Sequence, residues 1–361
     1  MSTPNLTRRH ALGLAVSAAA AATVRPARAQ SPLVVRLAYA DIGVGNRPFV
    51  GGSSAATAHA AHYPEDEFAN DPGVRIEWSF FKGAGPAVNE ALASGQTDFA
   101  LHGDLPSVIG RSNGIRTKLL LASGAHQPTY LAVPSGSDIK GVDDLKGRKV
   151  AMFRGTNLQL ATAKVLAAHG LAERDLKVIN MDFATMSAAL ASKDVDAAFG
   201  SPIVLDLEAQ GLARVVYTTK GDNPAFERHA HIHVTEAFEA QHPEVTGRVV
   251  KAFVKAAHWS SLEENREALF ELWAKSGIPA ARFRADLEGE TLLHRNAPLF
   301  DDFMLAQYKE QARMAKEYGL VRREVDTTGW FEPRYLDAAL KKLGLQDFWP
   351  RLDAGGKPVA A

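Results

Sequence analysis

The sequence predicts an α/β protein of two lobes, each a mostly parallel sheet flanked by helices, hinged by two crossover segments and closed by a helical tail. Three observations predict this. From Leu33 to Arg228, short apolar runs alternate with helix-length amphipathic runs, the rhythm of parallel βαβ units. The rhythm pauses near Ser123–Gln127 and restarts. After Val234 the strand pattern stops and only long amphipathic helices follow. Such helices need a surface to pack on, and packing on the first block makes the chain cross between lobes twice. The predicted lobes are 30–124 with 232–361, and 125–231.

In order, "LVVRLAYA" (33–40) is a buried strand, and Ser53 caps the helix "AATAHAAH" after a Gly-rich loop. "VRIEWSFF" (74–81) alternates as a strand. "GAGPAVNEALASG" carries Pro86 in its first helical turn and a Gly95 stop. "TDFALHG" and "TKLLLASG" are further strands around a helix opened by Asp104 and Pro106. The second block reads "TYLAVP", "RKVAMF", "LKVINM", "VDAAFG" and "ARVVYT" as strands, with helices between them. The tail helices are "PEVTGRVVKAFVKAAHWSSLEEN", "REALFELWAKSG", "LFDDFMLAQYKEQARMAKEYG" and "PRYLDAALKKLG".

Composition narrows the function classes. Of 361 residues, Lys+Arg and Asp+Glu number 41 each, which gives no electrostatic reason to expect nucleic acid or an anionic membrane. The chain has no cysteine, so disulfides, thiolate metal sites and cysteine nucleophiles are excluded. Residues 1–29 read as an export leader. Arg8-Arg9 precedes the apolar run Ala11–Val24, and Ala27-Arg28-Ala29 ends it with a cleavage signal. "TRRHAL" resembles the twin-arginine export motif; a general secretory leader with two chance arginines is the other reading. Cleavage after Ala29 takes four arginines from the 41 basic residues and leaves 37 against 41 acidic ones.

Two strand-to-helix turns, Lys82-Gly83-Ala84-Gly85-Pro86 and Arg154-Gly155-Thr156-Asn157, present backbone N–H groups at helix N-termini, one per lobe. Such termini attract anions, and Arg154 offers a charged donor. The same residues also serve as ordinary caps. "GDLP" (103–106) is a third turn of this kind. No Gly-x-Ser-x-Gly, HExxH or Walker pattern is present, and no cofactor motif is found. "RHAHIHV" (228–234) places His229, His231 and His233 on one face of a strand. They are either zinc ligands or part of the strand that returns to the first lobe. On that returning strand His231 is the candidate ligand contact.

These segments carry a resemblance. "VRIEWSFFKGAGPAVNEALASGQTDFALHGDLPSVIGR", "IKGVDDLKGRKVAMFRGTNLQLATAKVLAAHGL" and "FEAQHPEVTGRVVKAFVKAAHWS" together resemble exported solute-binding proteins for aliphatic sulfonates, taurine and nitrate. The resemblance spans about Leu33 to Phe348. It implies a periplasmic binding protein of the type II-like fold, a monomer that hands its ligand to the permease and ATPase of an ABC importer. It also implies that Gly85, Pro86, Gly103, Asp104, Gly155, Thr156 and Asn157 line the ligand's anionic group. Many members have Gln where this chain has Asp41. A carboxylate there disfavours a bare sulfonate and favours a ligand with an added ammonium or hydroxyl. The loop 42–52, with Arg47 and Phe49, is also unlike the usual short turn. The alternatives are nitrate or another small anion as ligand, an enzyme on the same fold (desulfinase-like or pyrimidine-precursor type), and a metal receptor using the three histidines. The desulfinase it would resemble depends on a cysteine, which this chain lacks.

Overall fold

The computed structural model describes residues 31–359. The leader expected over 1–29, and its cleavage point, lie outside the described residues.

Strands β1 (Leu33–Tyr39) and β2 (Val74–Phe80) flank α1 (Ser54–Ala60) and α2 (Tyr63–Glu67). The Ser53 hydroxyl accepts the Ala56 N–H at 3.1 Å, so α1 starts at the cap the sequence predicts. Then come α3 (Ala84–Ala93), β3 (Phe99–Gly103), α4 (Asp104–Ser112) and β4 (Thr117–Gln127). The chain crosses over and builds β5 (Tyr130–Pro134), β6 (Lys149–Met152), α5 (Asn157–Ala168), β7 (Lys177–Asn180), α6 (Phe183–Ser192), β8 (Ala197–Gly200), α7 (Val204–Ala209) and β9 (Ala213–Thr218). It returns as β10 (Arg228–Thr235). The tail comprises α8 (Glu236–Gln241), α9 (Pro243–Ser261), α10 (Arg266–Trp273), α11 (Ala280–Asp286), α12 (Leu292–Arg295), α13 (Asp302–Glu317) and α14 (Arg334–Leu343).

The strands form two five-stranded sheets, β2-β1-β3-β10-β4 and β7-β6-β8-β5-β9. Each sheet is parallel apart from one inserted strand. β10 runs antiparallel to β3 and β4, and β5 runs antiparallel to β8 and β9. These two strands are the ones by which the chain enters a sheet from the other, so they arrive from the opposite direction. β4 runs on to Gln127 and β10 already pairs at Arg228, which puts the crossing segments slightly inside the predicted boundaries, before Tyr130 and before Arg228.

On one face of the first sheet, Ile232, Val234 and Leu121 pack with Val249, Phe253 and Trp273 from the tail. On the other, Leu105, Leu119 and Ala122 pack with Tyr308, Ala312 and Trp330. The second sheet buries Leu131, Val150 and Phe199 against Leu166, Met186 and Leu190. The tail is not purely helical. Leu119 donates its N–H to the Trp330 carbonyl and accepts from the Glu332 N–H, both at 2.9 Å, so a short tail segment lies alongside the outer edge of β4. The sequence reading gives no element for 279–298, where α11 and α12 stand.

Candidate ligand-binding cleft

A cavity of about 170 Å³ lies between the sheets, at the ends of β1, β3 and β10 on one side and of β8 and the turn before α5 on the other. Its position follows from topology, because the loops leaving the carboxyl ends of parallel strands converge there. The N-termini of α3 and α5 meet across it. First-turn N–H groups have no partner within their own helix, and the aligned peptide dipoles add partial positive charge at each end. Ala84 and Gly85 line the cavity from one side, Thr156 and Asn157 from the other.

Three glycines make this convergence possible. A Cβ on Gly85 would lie 2.4 Å from Pro106 Cβ, one on Gly103 would lie 2.7 Å from Asn157 Cβ, and one on Gly155 would lie 2.8 Å from Pro86 Cγ. None of these contacts is sterically possible. Gly155 also has φ +75°, a left-handed conformation that glycine adopts without Cβ strain. The Gly103–Asn157 and Gly155–Pro86 contacts seat one lobe's loops on the other's, and Gly85 lets α3 pack closely on α4 within the first lobe. Thr156 bends its own turn by donating its hydroxyl to the Phe153 carbonyl at 2.7 Å, and Asn157 Nδ2 reaches the His229 carbonyl at 3.4 Å.

Arg228 is the principal charge in the cavity. It is 4 % exposed and lines the wall. Its Nε and Nη2 donate to the Pro128 carbonyl at 3.2 and 2.7 Å. Among the described residues no carboxylate pairs with it, and burial lowers its pKa to about 10. Arg295 also lines the cavity, but its charge is taken by Asp286 at 2.9 Å and Glu290 at 2.7 Å. Asp286 further accepts from Tyr130 Oη at 2.6 Å. Asp41 sits half-buried on the wall at the end of β1. Burial pushes its carboxyl up to about 6, opposed by the Ile42 N–H and by Arg228.

The structure brings Asp41, Gly85, Gly103, Thr156 and Asn157 to the cavity. Pro86 and Gly155 stand behind that wall, packed on each other. Three expected contacts lie elsewhere. Arg154 turns outward to Glu173 at 3.2 Å, because its backbone N–H is held by Asn180 and the next turn by Gln159. Asp104 is 2 % exposed and folds back onto the Leu105 and His229 N–H groups at 2.6 and 3.3 Å. Burial raises its pKa to about 6. His231 is fully buried, with Nδ1 2.7 Å from Tyr308 Oη and Nε2 3.4 Å from Met304 Sδ, so both its ring nitrogens are engaged away from the cleft. Nor do the three strand histidines converge on one point. His229 meets the His126 N–H, and His233 meets Ser107 Oγ at 2.8 Å and stacks on His102.

Sequence reasoning missed Arg228, although a signal existed. The two-residue period that gathers the histidines on one face puts Arg228 and Ala230 on the other, and those two line the cavity. Asp286 and Arg295 had no comparable signal. From the loop 42–52, Val50, Gly51 and Gly52 line the cavity, whereas the Phe49 ring packs at a tilt against His59, with centroids 5.1 Å apart.

The sequence pattern of the NMT1/THI5-like family matches residues 71–265, more than half of the chain. The chain belongs to the NMT1/THI5-like family. Among family relatives, a Bacillus subtilis (strain 168) protein assigned as an aliphatic sulfonates-binding protein is 28% identical over 196 residues. That match covers 54% of this chain and 58% of the relative, so the chain spans little more than half of that relative's length. A solved structure from Methylobacillus flagellatus KT, assigned as the periplasmic sulfonate-binding protein SsuA of a sulfonate ABC transporter, superposes with a TM-score of 0.77. It is 30% identical and covers 90% of this chain and 98% of its own. The desulfurization enzyme DSZB shares the fold at a TM-score of 0.62 and 18% identity, covering 86% of this chain and 99% of its own.

Proposed function

We propose that the chain is an exported solute-binding receptor, working in the periplasm as a monomer, that encloses a small organic anion in the interlobe cleft and delivers it to an ABC importer. A sulfonate is the preferred ligand. Arg228 carries this reading: a buried guanidinium without a carboxylate partner faces a cavity ringed by the N-termini of α3 and α5. A buried cation is costly unless something neutralises it, and an anion held by Arg228 and the helix-terminal N–H groups does so. The naming of the Bacillus and Methylobacillus relatives as sulfonate binders supports the choice of anion.

In this reading Thr156 and Asn157 close on the anion from the lobe built on β5 to β9, while Gly85, Gly103 and Arg228 hold it from the other lobe. Asp41 reads the rest of the ligand. The receptor reading is favoured over an enzyme because the Bacillus and Methylobacillus relatives are named as binding proteins.

The test is calorimetric titration of the purified protein with taurine, alkane- and arylsulfonates, sulfate esters, nitrate and carboxylates. A ligand at 100 times its Kd raises stability by about 2.7 kcal/mol, which thermal shift reads independently. Binding of nitrate or carboxylates without any sulfonate would overturn the ligand assignment. Conversion of a bound compound would overturn the receptor assignment.

A further inference from the structure

Away from the cleft, the two crossover segments and the tail bring three metal-ligating side chains together. His126 stands near the end of β4, Glu227 immediately precedes β10, and His294 lies on α12. One ligand atom from each falls within 4.8 Å of the others. His126 Nδ1 lies 2.7 Å from Glu227 Oε2, and the His126 and His294 rings stack at 3.8 Å. A hydrogen bond accounts for the first pair alone. Neither ring nitrogen of His294 has a hydrogen-bond partner among the described residues, and neither does His126 Nε2.

The setting is specific. His126 has φ +53°, a conformation rare for side chains other than glycine and concentrated at functional sites. Its N–H is held by His229 Nδ1 at 3.2 Å, and the His294 N–H by the Thr291 cap at 3.3 Å. A small pocket of about 30 Å³ opens against His126 and His294, enough for a water molecule. Asp301 also borders this pocket but spends its two carboxylate oxygens on the Met304 and Leu352 N–H groups. Glu227 is therefore the available carboxylate.

We propose that His126, Glu227 and His294 bind one divalent transition-metal ion, with zinc the best match to two imidazoles and a carboxylate, and water in the fourth position. Tetrahedral zinc with ligands at about 2.0–2.2 Å needs its ligand atoms roughly 3.3–3.6 Å apart. Reaching that spacing from the present set, whose atoms lie within 4.8 Å of one another, calls for rotation of the exposed His294 and partly exposed Glu227 side chains. The ion ties both crossover segments to the tail, at the point about which the lobes would move.

The full chain is prepared without an affinity tag, stripped with EDTA, and titrated with Zn²⁺ by calorimetry and with Co²⁺ by visible absorption. One ion per chain is expected, together with the intense visible bands of tetrahedral Co²⁺. His294→Ala and Glu227→Gln should each weaken binding by about tenfold or more, since even changes outside the ligand set cost that much. His169→Ala alters a histidine paired with Asp143 elsewhere on the surface and should leave binding unchanged. His294 is exposed, so its variant tests the site without disturbing the core. Wild-type affinity in both His294→Ala and Glu227→Gln would overturn the proposal, and so would the absence of saturable binding at micromolar metal.

Discussion

Arg228 and Asp41 face the same cavity with opposite charges, and their burial sets what each can do. Arg228→Met keeps the volume of the side chain and removes the charge. Charged hydrogen bonds of this kind contribute about 1.5–3 kcal/mol, so sulfonate affinity measured by calorimetry should fall roughly tenfold to a hundredfold. Asp41 should make affinity depend on pH. With its carboxyl raised to about 6, it is neutral below that value and negative above it. The charged group that shares its surroundings is Arg228; the nearby Tyr39 is a buried, neutral phenol over this range. Affinity for a plain alkanesulfonate should fall as pH rises from 5 to 7, while an aminosulfonate, whose ammonium pairs with the carboxylate, should bind more tightly over the same range. Asp41→Asn should flatten both curves; equal slopes for the two ligands would remove Asp41 from the site. The raised carboxyl also makes folding less favourable as pH climbs from about 4 to 6, so Asp41→Asn should raise Tm more at pH 7.5 than at pH 5.

At the scale of elements, glycine placement decides whether the loops can meet. Gly155→Ala would combine a left-handed φ with a Cβ 2.8 Å from Pro86. The variant should lose about 1–2 kcal/mol or more in chemical denaturation and bind anions weakly. Wild-type stability would show that the turn before α5 can relax. All ten strands were legible in the sequence, because apolar runs bounded by turn residues carry that signal directly. So were the strand-to-helix turns that open α3 and α5 onto the cleft, since Gly at such a junction states its own geometry. Side-chain direction was less legible. Arg154 sits in such a turn, yet its contact with Glu173, nineteen residues on, depends on how the turn before α5 packs. His231 was misread because a histidine row suggests ligands, while its partners Tyr308 and Met304 lie more than seventy residues away. α11 and α12 are short and irregular, with no period long enough to show.

Across the whole molecule, α11 links the two lobes beside the cleft. Arg282 pairs with Asp206 of α7, Tyr130 of β5 donates to Asp286, and Lys220 Nζ reaches the Asp286 carbonyl at 2.8 Å. These contacts cross between lobes, so they are made only while the lobes are together. Arg282→Ala should open the ligand-free protein and increase its radius of gyration in X-ray scattering, with ligand restoring the smaller value. An unchanged radius would assign closure to the cavity itself.

The tail segment beside β4 has a further consequence. β4 is an outer strand of the first sheet, and unpaired outer strands offer a template on which other chains aggregate. By exchanging backbone hydrogen bonds with Leu119, Trp330 and Glu332 shield part of that template, and the Trp330 ring is wholly buried beneath the guanidinium of Arg111 at 4.9 Å. This tail segment thus covers part of an exposed sheet edge as well as completing the core. A chain shortened to end before Thr327 should self-associate with rising concentration in analytical ultracentrifugation even where it retains its fold.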